Sequence, residues 1–280
     1  MNIKITADST CDLTAEQIQS NNITITPLKV TMGDNSYTDG VDITPSDIFA
    51  HVANGGPLCS TAACNIDDYI SVFDKFSKEY DAVIHISLGS AFSSCYQNAC
   101  VAAQDYPNVY VVDSQNLSTG QGLVVLETCE RANSCENAEQ LANDIRDLTS
   151  RVEASFILNK LDYMVKGGRC STVAALGANL LKLKPCIEVI GGKMQVVKKY
   201  RGSYAKCLEE YIRERLDGRA DVEMDKIFIT HTPVEADELN VARDSVSKYG
   251  SFGRVMESEA GCTISCHCGP STLGVLYIRK

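Results

Sequence analysis

No apolar run in this 280-residue sequence approaches the roughly 18 residues that would cross a bilayer. The longest uninterrupted stretches, such as Leu123 to Leu126 and Gly274 to Ile278, are the size of a strand or a helix core. Positive charge is in short supply as well. Against 36 Asp and Glu stand 26 Lys and Arg, a formal net charge of −10. A polyanion is repelled on average, which argues against general nucleic-acid binding. The densest local exception is Lys182, Lys184, Lys193, Lys198, Lys199 and Arg201. No low-complexity tract or solenoid period occurs. No G-x-S-x-G elbow occurs, so an α/β-hydrolase has no support. No G-x-x-x-x-G-K-[ST] loop occurs either, so the chain is not expected to hold a nucleotide on its own. The opening segment MNIKITADST has no apolar h-region and no cleavage site, and it reads as the start of a strand. The expectation is a cytoplasmic protein with reduced thiols. An odd count of 13 cysteines then needs no pairing scheme.

What is present is a globular composition. Hydrophobic residues make up 44% and charged residues 22%, enough apolar material for a buried core. The length suits one large domain or two ordinary ones. Ile3 and Ile5 alternate ahead of Ala7-Asp8-Ser9 as a first strand. Thr14 with Gln17 makes a capping box. Thr44-Pro45 starts a helix that Gly55-Gly56 ends, and Asn65 caps another through Tyr69, Val72, Phe73 and Phe76. Strands follow at Ala82 to Ser87 and Val109 to Asp113, with helices from about Ser93, over about 118–132 and over about 137–149. This β-α-β-α order predicts a mostly parallel sheet covered on both faces. Ligands of such sheets sit beyond the carboxyl ends of the strands. Asp8-Ser9, Ser87 to Ser93 and Asp113-Ser114 fall there.

The pattern changes after about residue 152. Ser155 to Leu158 reads as a strand, and a helix ends at Gly167-Gly168. Pro185 to Ile190 and Met194 to Tyr200 flank Gly191-Gly192 as a hairpin. Tyr204, Leu208, Tyr211, Ile212 and Leu216 mark an amphipathic helix. A strand at Lys226 to Thr230, a helix after Pro233, and strands near Gly253 to Glu257 and Thr272 to Ile278 complete an α+β half with a mixed or antiparallel sheet. The division predicted is 1–152 and 153–280.

Several constellations could carry chemistry. Gly120-x-Gly122 follows a strand but lacks the third glycine of a dinucleotide site, and helix packing explains it better. Cys262-x3-Cys266-His267-Cys268 is a dense group of soft ligands. Zinc ribbons favour C-x2-C pairs, and none occurs. Read as a strand, the segment would put Cys266 and Cys268 on one face and His267 on the other, which splits the ligand set. A thiol- or metal-dependent redox protein using Cys262, Cys266 and Cys268 is therefore the alternative reading, behind buried structural cysteines. Ser60-Thr61 and Ser90-Ala91-Phe92-Ser93-Ser94 are hydroxyl-rich turns. Helix capping accounts for them most plainly, and a seat for an anion at a helix N-terminus fits them too. Arg169 follows the Gly167-Gly168 turn, where a guanidinium could address a carboxylate or phosphate. His267 lies in a turn beside Gly269-Pro270.

In order along the chain, these segments resemble the DegV family, the fatty-acid-binding proteins that serve bacterial fatty acid kinases. The matching runs are Ala7-Asp-Ser-Thr-Cys-Asp-Leu13, Ser60-Thr61, Ser87 through Gln97, Val112-Asp-Ser114 and Leu161-Asp-Tyr-Met-Val-Lys-Gly-Gly-Arg169. Leu183-Lys-Pro185, Gly192-Lys193 and His267-Cys-Gly-Pro-Ser-Thr-Leu-Gly274 complete the set. The resemblance implies an N-terminal three-layer α/β/α domain and a C-terminal α+β domain, with a long-chain fatty acid between them. It implies that Thr61 and Ser93 hold the carboxylate, with Arg169, His267, Ser90 and Ser94 in the polar surroundings. It implies no cofactor, no metal and no catalysis by the chain itself. The expected partner is a fatty acid kinase catalytic subunit, with room for transient membrane contact during lipid exchange. A DegV-like fold holding another apolar carboxylate remains the plainer variant. Three runs depart from the family pattern. Thr61-Ala-Ala-Cys-Asn65 stands for Thr-Ser-Gln-Pro-Ser, Ser93-Ser-Cys-Tyr-Gln97 for Ser-Gly-Thr-Tyr-Gln, and Gly269-Pro-Ser271 for Gly-Pro-Gly.

Overall fold

A computed structural model describes residues 1–174 and 183–280; Lys182 of the basic run lies outside them. The first sheet is built from β1 (Ile3–Asp8), β2 (Thr24–Thr26), β6 (Ala82–Ser87) and β7 (Val109–Asp113), all parallel in the order β2-β1-β6-β7. Between β1 and β2 runs α1 (Ala15–Ser20), closed by the Thr14–Gln17 capping box. Helices α3 (Ile66–Glu79) and α4 (Cys95–Ala102) pack together against this sheet, as do α5 (Ser118–Ala132) and α6 (Ala138–Thr149). Every residue of β6 is buried, as expected where helices cover both faces.

A small antiparallel sheet interrupts this pattern. It comprises β3 (Lys29–Met32), β4 (Asn35–Thr38) and β5 (Ser60–Ala62), in the order β4-β3-β5, with α2 (Pro45–Ala53) inserted before β5. Ser60-Thr61 therefore belongs to a strand, with Thr61 opposite Val30, rather than to a helix-capping turn. The cap of α3 is Asn65, whose Oδ1 accepts from the Asp68 amide. A cap needs to be adjacent to its helix, and Thr61 is a strand away.

The second large sheet is mixed. Its strands are β8 (Val152–Leu158), β9 (Leu183–Ile190), β10 (Lys193–Arg201), β11 (Val222–His231), β12 (Arg254–Glu259) and β13 (Thr272–Arg279), in the order β10-β9-β8-β13-β11-β12. Among the described residues only the β11–β12 pair is parallel. The Gly191-Gly192 hairpin joins β9 and β10 as its sequence predicts. Helices α7 (Asp162–Gly167) and α8 (Ser171–Ala174) follow β8, while α9 (Tyr204–Leu216) and α10 (Ala236–Tyr249) pack on each other. A parallel sheet followed by a mixed one is the α/β arrangement expected from the sequence.

Cys262–Cys268 forms a short helix, α11, and not a strand. Helical spacing pairs Cys262 with Cys266, four residues apart. Both join Val30, Ile43 and Ile48 in a small apolar cluster, while Cys268 faces the main core. His267 lies in the last helical turn rather than in a loop.

Helix α5 touches β1 and β6 of the parallel sheet and also β8, β11 and β13 of the mixed one. Two glycines let it approach. A Cβ on Gly122 would lie 2.7 Å from the Cys11 carbonyl oxygen, and one on Gly120 would lie 3.2 Å from the Ala154 Cβ of β8. Helix packing is thus the role of the Gly120-x-Gly122 pair. The buried Lys226 of β11 anchors the helix by ion pairs to Glu127 at 2.7 Å and Glu130 at 2.8 Å. One continuous apolar core consequently spans both sheets, from Ile5 and Val83 to Phe156 and Ile278.

The N-terminal end of α11 is held by carboxylates from distant segments. Asp12 Oδ1 accepts from the Gly261 amide at 2.9 Å, and Asp12 Oδ2 accepts from the Ser118 hydroxyl at 2.6 Å. Asp39 Oδ1 accepts from the Cys262 amide at 2.9 Å, and the Ser9 hydroxyl donates to Asp39 Oδ2. Burial pushes the Asp12 carboxyl from 3.8 up to about 8, with the Asp39 charge adding to it and the Ser118 and Gly261 donors opposing it. The folded state thus binds a proton that the unfolded state releases. Asp12's contribution to stability is complete below about pH 4 and is lost as pH rises through 8. The melting temperature is expected to fall between pH 5 and 8, and Asp12→Asn is expected to flatten that slope in thermal melts.

Candidate functional site

Beyond the carboxyl ends of β6 and β7 lies a partly open pocket whose empty space, counted out into solvent, is about 520 Å³. Thr61, Ser93, Arg169, His267 and Thr263 supply its polar wall. Leu28, Leu88, Phe92, Leu117, Met164 and Ile264 supply most of the apolar one. Four residues that lie far apart in sequence (Thr61, Ser93, Arg169 and His267) therefore meet at one place. Ser90 and Ser94 are not among the residues lining it. Instead the Ser90 amide donates to Asp113 Oδ1, and Ser94 stands exposed at the N-cap of α4 without a side-chain capping bond.

Leu117, Ile264 and Cys268 also line a second chamber of about 380 Å³, so the two spaces share a wall. Ala154, Phe156, Ala260, Gly274 and Leu276 give the second chamber its apolar surface. Four hydroxyl residues line it too, yet each hydroxyl is engaged with protein. Ser118 donates to Asp12, Thr230 shares a hydrogen bond with Thr119, Thr232 donates to the Gly269 carbonyl and Thr272 to the Cys268 carbonyl. His231, which also lines the chamber, turns its Nδ1 to the Thr232 carbonyl at 2.9 Å. With its hydroxyls engaged, the chamber is a better setting for hydrocarbon than for a sugar.

The polar wall has a definite proton arrangement. Thr61 Oγ1 lies 2.8 Å from His267 Nε2. Burial, with Arg169 nearby, pulls the imidazole pKa down to about 4, so His267 is neutral at pH 7. Its Nδ1 is buried without a partner among the described residues. A buried N–H left unpaired is rarer and costlier than a bare acceptor. The ring proton is accordingly assigned to Nε2, which donates to Thr61 and leaves the Thr61 hydroxyl proton free to point into the cavity. Gly167 makes this geometry possible, since a Cβ there would sit 2.5 Å from His267 Nδ1. Gly167→Ala is expected to push the ring off Thr61 and weaken ligand binding about tenfold, the effect of one hydrogen bond. Isothermal titration against the unaltered protein checks this.

Ser93 lies just before α4. Its Oγ accepts from the Cys95 amide at 3.3 Å and donates to Cys95 Sγ at 3.2 Å. The positive end of the α4 dipole thus points toward Ser93. Arg169 sits at the mouth with its guanidinium tied to the Gly167 carbonyl at 2.7 Å. It adds positive potential at the mouth. Thr263 was not singled out by sequence reasoning. Its Oγ1 is buried and unpartnered among the described residues, and it lines the same cavity.

The alternative ligand set does not assemble here. Burial pushes the thiols of Cys262 and Cys268 up to about 12 and that of Cys266 higher still. The Cys262 thiol donates to the Ile43 carbonyl. Among the described residues, the group with metal-ligand spacing is Asp8, Cys64 and Cys95, which includes none of these three. No helix among the described residues is long and apolar enough to cross a membrane.

The family model described as "Uncharacterised protein, DegV family" matches residues 2–280. A DegV domain-containing protein of Clostridium acetobutylicum is 31% identical over 282 residues, covering 99% of both chains. One from Caldanaerobacter subterraneus is 29% identical over 280 residues, again covering 99% of both. Among solved structures, a DegV family protein of Thermus thermophilus described for its fatty acid binding superposes with a TM-score of 0.91. It is 26% identical, and all of both chains is covered. A Thermotoga maritima protein described as revealing fatty acid binding function gives a TM-score of 0.84 at 25% identity, with 99% of each chain covered.

Proposed function

The chain belongs to the DegV family, and from that premise we propose that it binds a long-chain fatty acid between residues 1–152 and 153–280, taken as two domains. The carboxylate lies against Thr61 and Ser93, and the tail runs past Leu117, Ile264 and Cys268 into the inner chamber. The carrying observation is that one end of an apolar space holds two hydroxyls able to donate, with a neutral histidine behind one of them.

The tail supplies affinity. Burying about 14 methylenes at about 0.8 kcal/mol each gains on the order of 11 kcal/mol, much of it offset by lost ligand freedom. The head group supplies orientation. A carboxylate out of bulk water stays ionised only if hydrogen-bonded. Thr61 donates because His267 occupies its lone pair, and Ser93 donates by giving up its weak thiol acceptor. Arg169 and the α4 dipole add favourable potential at the mouth. Neutral hydroxyls serve a carboxylate and an acyl phosphate alike, whereas a bidentate guanidinium would hold the acid more firmly and hinder transfer. The arrangement suits a carrier that presents the carboxylate to a fatty acid kinase, which brings ATP and metal and forms the acyl phosphate. On this reading the chain performs no chemistry and needs no cofactor.

Native mass spectrometry of the purified protein is expected to show one fatty acid per chain, identified after extraction into organic solvent. Recovery of a different apolar acid would replace the ligand class. A chain that neither carries nor takes up any such acid would refute the reading.

A further inference from the structure

Behind the carboxylate end of the cavity lies a cluster that fatty acid binding does not use. Cys64 sits between β5 and α3, and Cys95 is the first residue of α4. Both are fully buried. Their sulfurs and a carboxylate oxygen of Asp8 lie within 4.8 Å of one another. The sequence spacing pairs Cys59 with Cys64 and Cys95 with Cys100, but the fold brings Cys64 to Cys95 instead. Each also stands at a departure from the family runs, Cys64 in place of proline and Cys95 in place of threonine.

The surrounding contacts favour sulfur–sulfur chemistry over a metal. Asp8 already accepts from the Tyr69 hydroxyl at 2.7 Å, the Ser87 hydroxyl at 2.8 Å and the Leu88 amide at 2.7 Å, with His85 Nε2 at 3.4 Å. A cation on that carboxylate would have to displace one of these. The thiols have only weak acceptors, as for Cys64 Sγ toward the Pro27 carbonyl at 3.4 Å. They are also unequal. Cys64 Sγ faces the Thr26 and Pro27 carbonyls, which hold its proton, while Cys95 Sγ receives the Ser93 hydroxyl at 3.2 Å. A donor at sulfur favours the thiolate and carbonyl acceptors favour the thiol, so Cys95 is the better nucleophile of the two. Cys95 is bonded to Ser93, which lines the cavity. A molecule as small as a peroxide therefore has a route to within one residue of the pair.

We infer that Cys64 and Cys95 are a redox-active dithiol that a peroxide closes to a disulfide, and that closure releases the Ser93 hydroxyl from Cys95 toward the bound carboxylate. The Cys95 thiolate attacks one peroxide oxygen. The O–O bond breaks, and the departing hydroxide takes up the proton Cys95 gave away, leaving a sulfenic acid and water. The Cys64 sulfur then attacks the Cys95 sulfur. The S–S bond forms, the S–O bond breaks, and the departing hydroxide leaves as water with the Cys64 proton. Two thiols lose two electrons in total, and the peroxide gains them. The sulfurs must approach by less than about 3 Å. The disulfide part stands alone, whereas the effect on binding rests on the proposed fatty acid site.

The test exposes the whole protein to less than one equivalent of hydrogen peroxide, blocks free thiols and maps the peptides. A Cys64–Cys95 cross-linked pair, lighter by two hydrogens, is expected ahead of any modification at the other cysteines. Titration with a long-chain fatty acid is expected to show roughly threefold to tenfold tighter binding by the oxidised form, the effect of a weak competing hydrogen bond removed. Cys64→Ser or Cys64→Ala is expected to abolish both changes. Oxidation elsewhere first, or a folded protein whose pair does not react, would overturn the dithiol. So would stoichiometric zinc that shields the pair, since that would make it a metal site. A cross-link without any change in affinity would overturn the link to Ser93. A cross-link in protein that binds no fatty acid in either form would leave the dithiol standing and remove the binding reading.

Discussion

Thr61→Val lowers the affinity for a long-chain fatty acid by about 30-fold. Valine matches threonine in shape, so the channel keeps its width and the loss reports the hydroxyl. A hydrogen bond to a charged group contributes about 2 kcal/mol net, which converts to that factor. Ser93→Ala is expected to cost a similar amount, or less, because its hydroxyl already has the Cys95 sulfur as an acceptor. The double variant leaves the carboxylate without a donor from either residue. Binding should then favour the protonated acid and strengthen as pH falls toward the ordinary carboxylic range. That pH dependence separates a head-group role from simple unfolding. Thr61→Val also strands His267 Nε2, so some stability is lost; Thr61→Ser, which restores the hydroxyl, should recover most of the affinity. Measured by titration calorimetry, unchanged affinity in both single variants would remove the head-group assignment.

Ala260→Leu shortens the longest acyl chain the protein accepts. Ala260 is buried and lines the inner chamber beside Phe156 and Leu276. Leucine adds three carbons there, displacing about three methylenes of a full-length tail. At about 0.8 kcal/mol each the loss is about 2.4 kcal/mol, or roughly 60-fold. Acids short enough to end before Ile264 and Cys268 should bind unchanged. A length-dependent loss identifies the chamber as the tail site, whereas a uniform loss would point to a distorted head-group end. Melting curves for the variant control for overpacking, which costs about 1–3 kcal/mol in a tight core.

The larger elements were legible because their physics is local. The capping residues Thr14, Thr44 and Asn65 all cap as their spacing predicts. The Gly191-Gly192 hairpin and the amphipathic stripe from Tyr204 to Leu216 formed where their periods placed them. The small sheet was not legible. Asn35–Thr38 and Ser60–Ala62 are short and only partly buried, so they carry no apolar alternation to read. The Cys262–Cys268 helix escaped for the opposite reason. Six of its seven residues are buried, and a helix buried on nearly every side has no amphipathic period. Its ends are fixed by Asp12, Asp39 and Thr61, contacts no local pattern records.

The candidate site was legible in a different way. Spacing alone left Ser60-Thr61 and Ser90 to Ser94 as turns with two readings. Ordered resemblance to a family selected Thr61, Ser93, Arg169 and His267, and the fold brings those four to one cavity. Ser90 and Ser94 were named by the same reasoning, and neither lines that cavity. Thr263 and the Cys64–Cys95 pair were missed because their significance comes only from long-range proximity.

A crystal structure of the protein with its copurified or added fatty acid tests the central claim most directly. The account predicts carboxylate density within hydrogen-bonding distance of both Thr61 Oγ1 and Ser93 Oγ, with the tail passing Ile264 to end near Phe156. Lipid density lying outside both chambers, or a carboxylate turned toward the inner chamber, would contradict it.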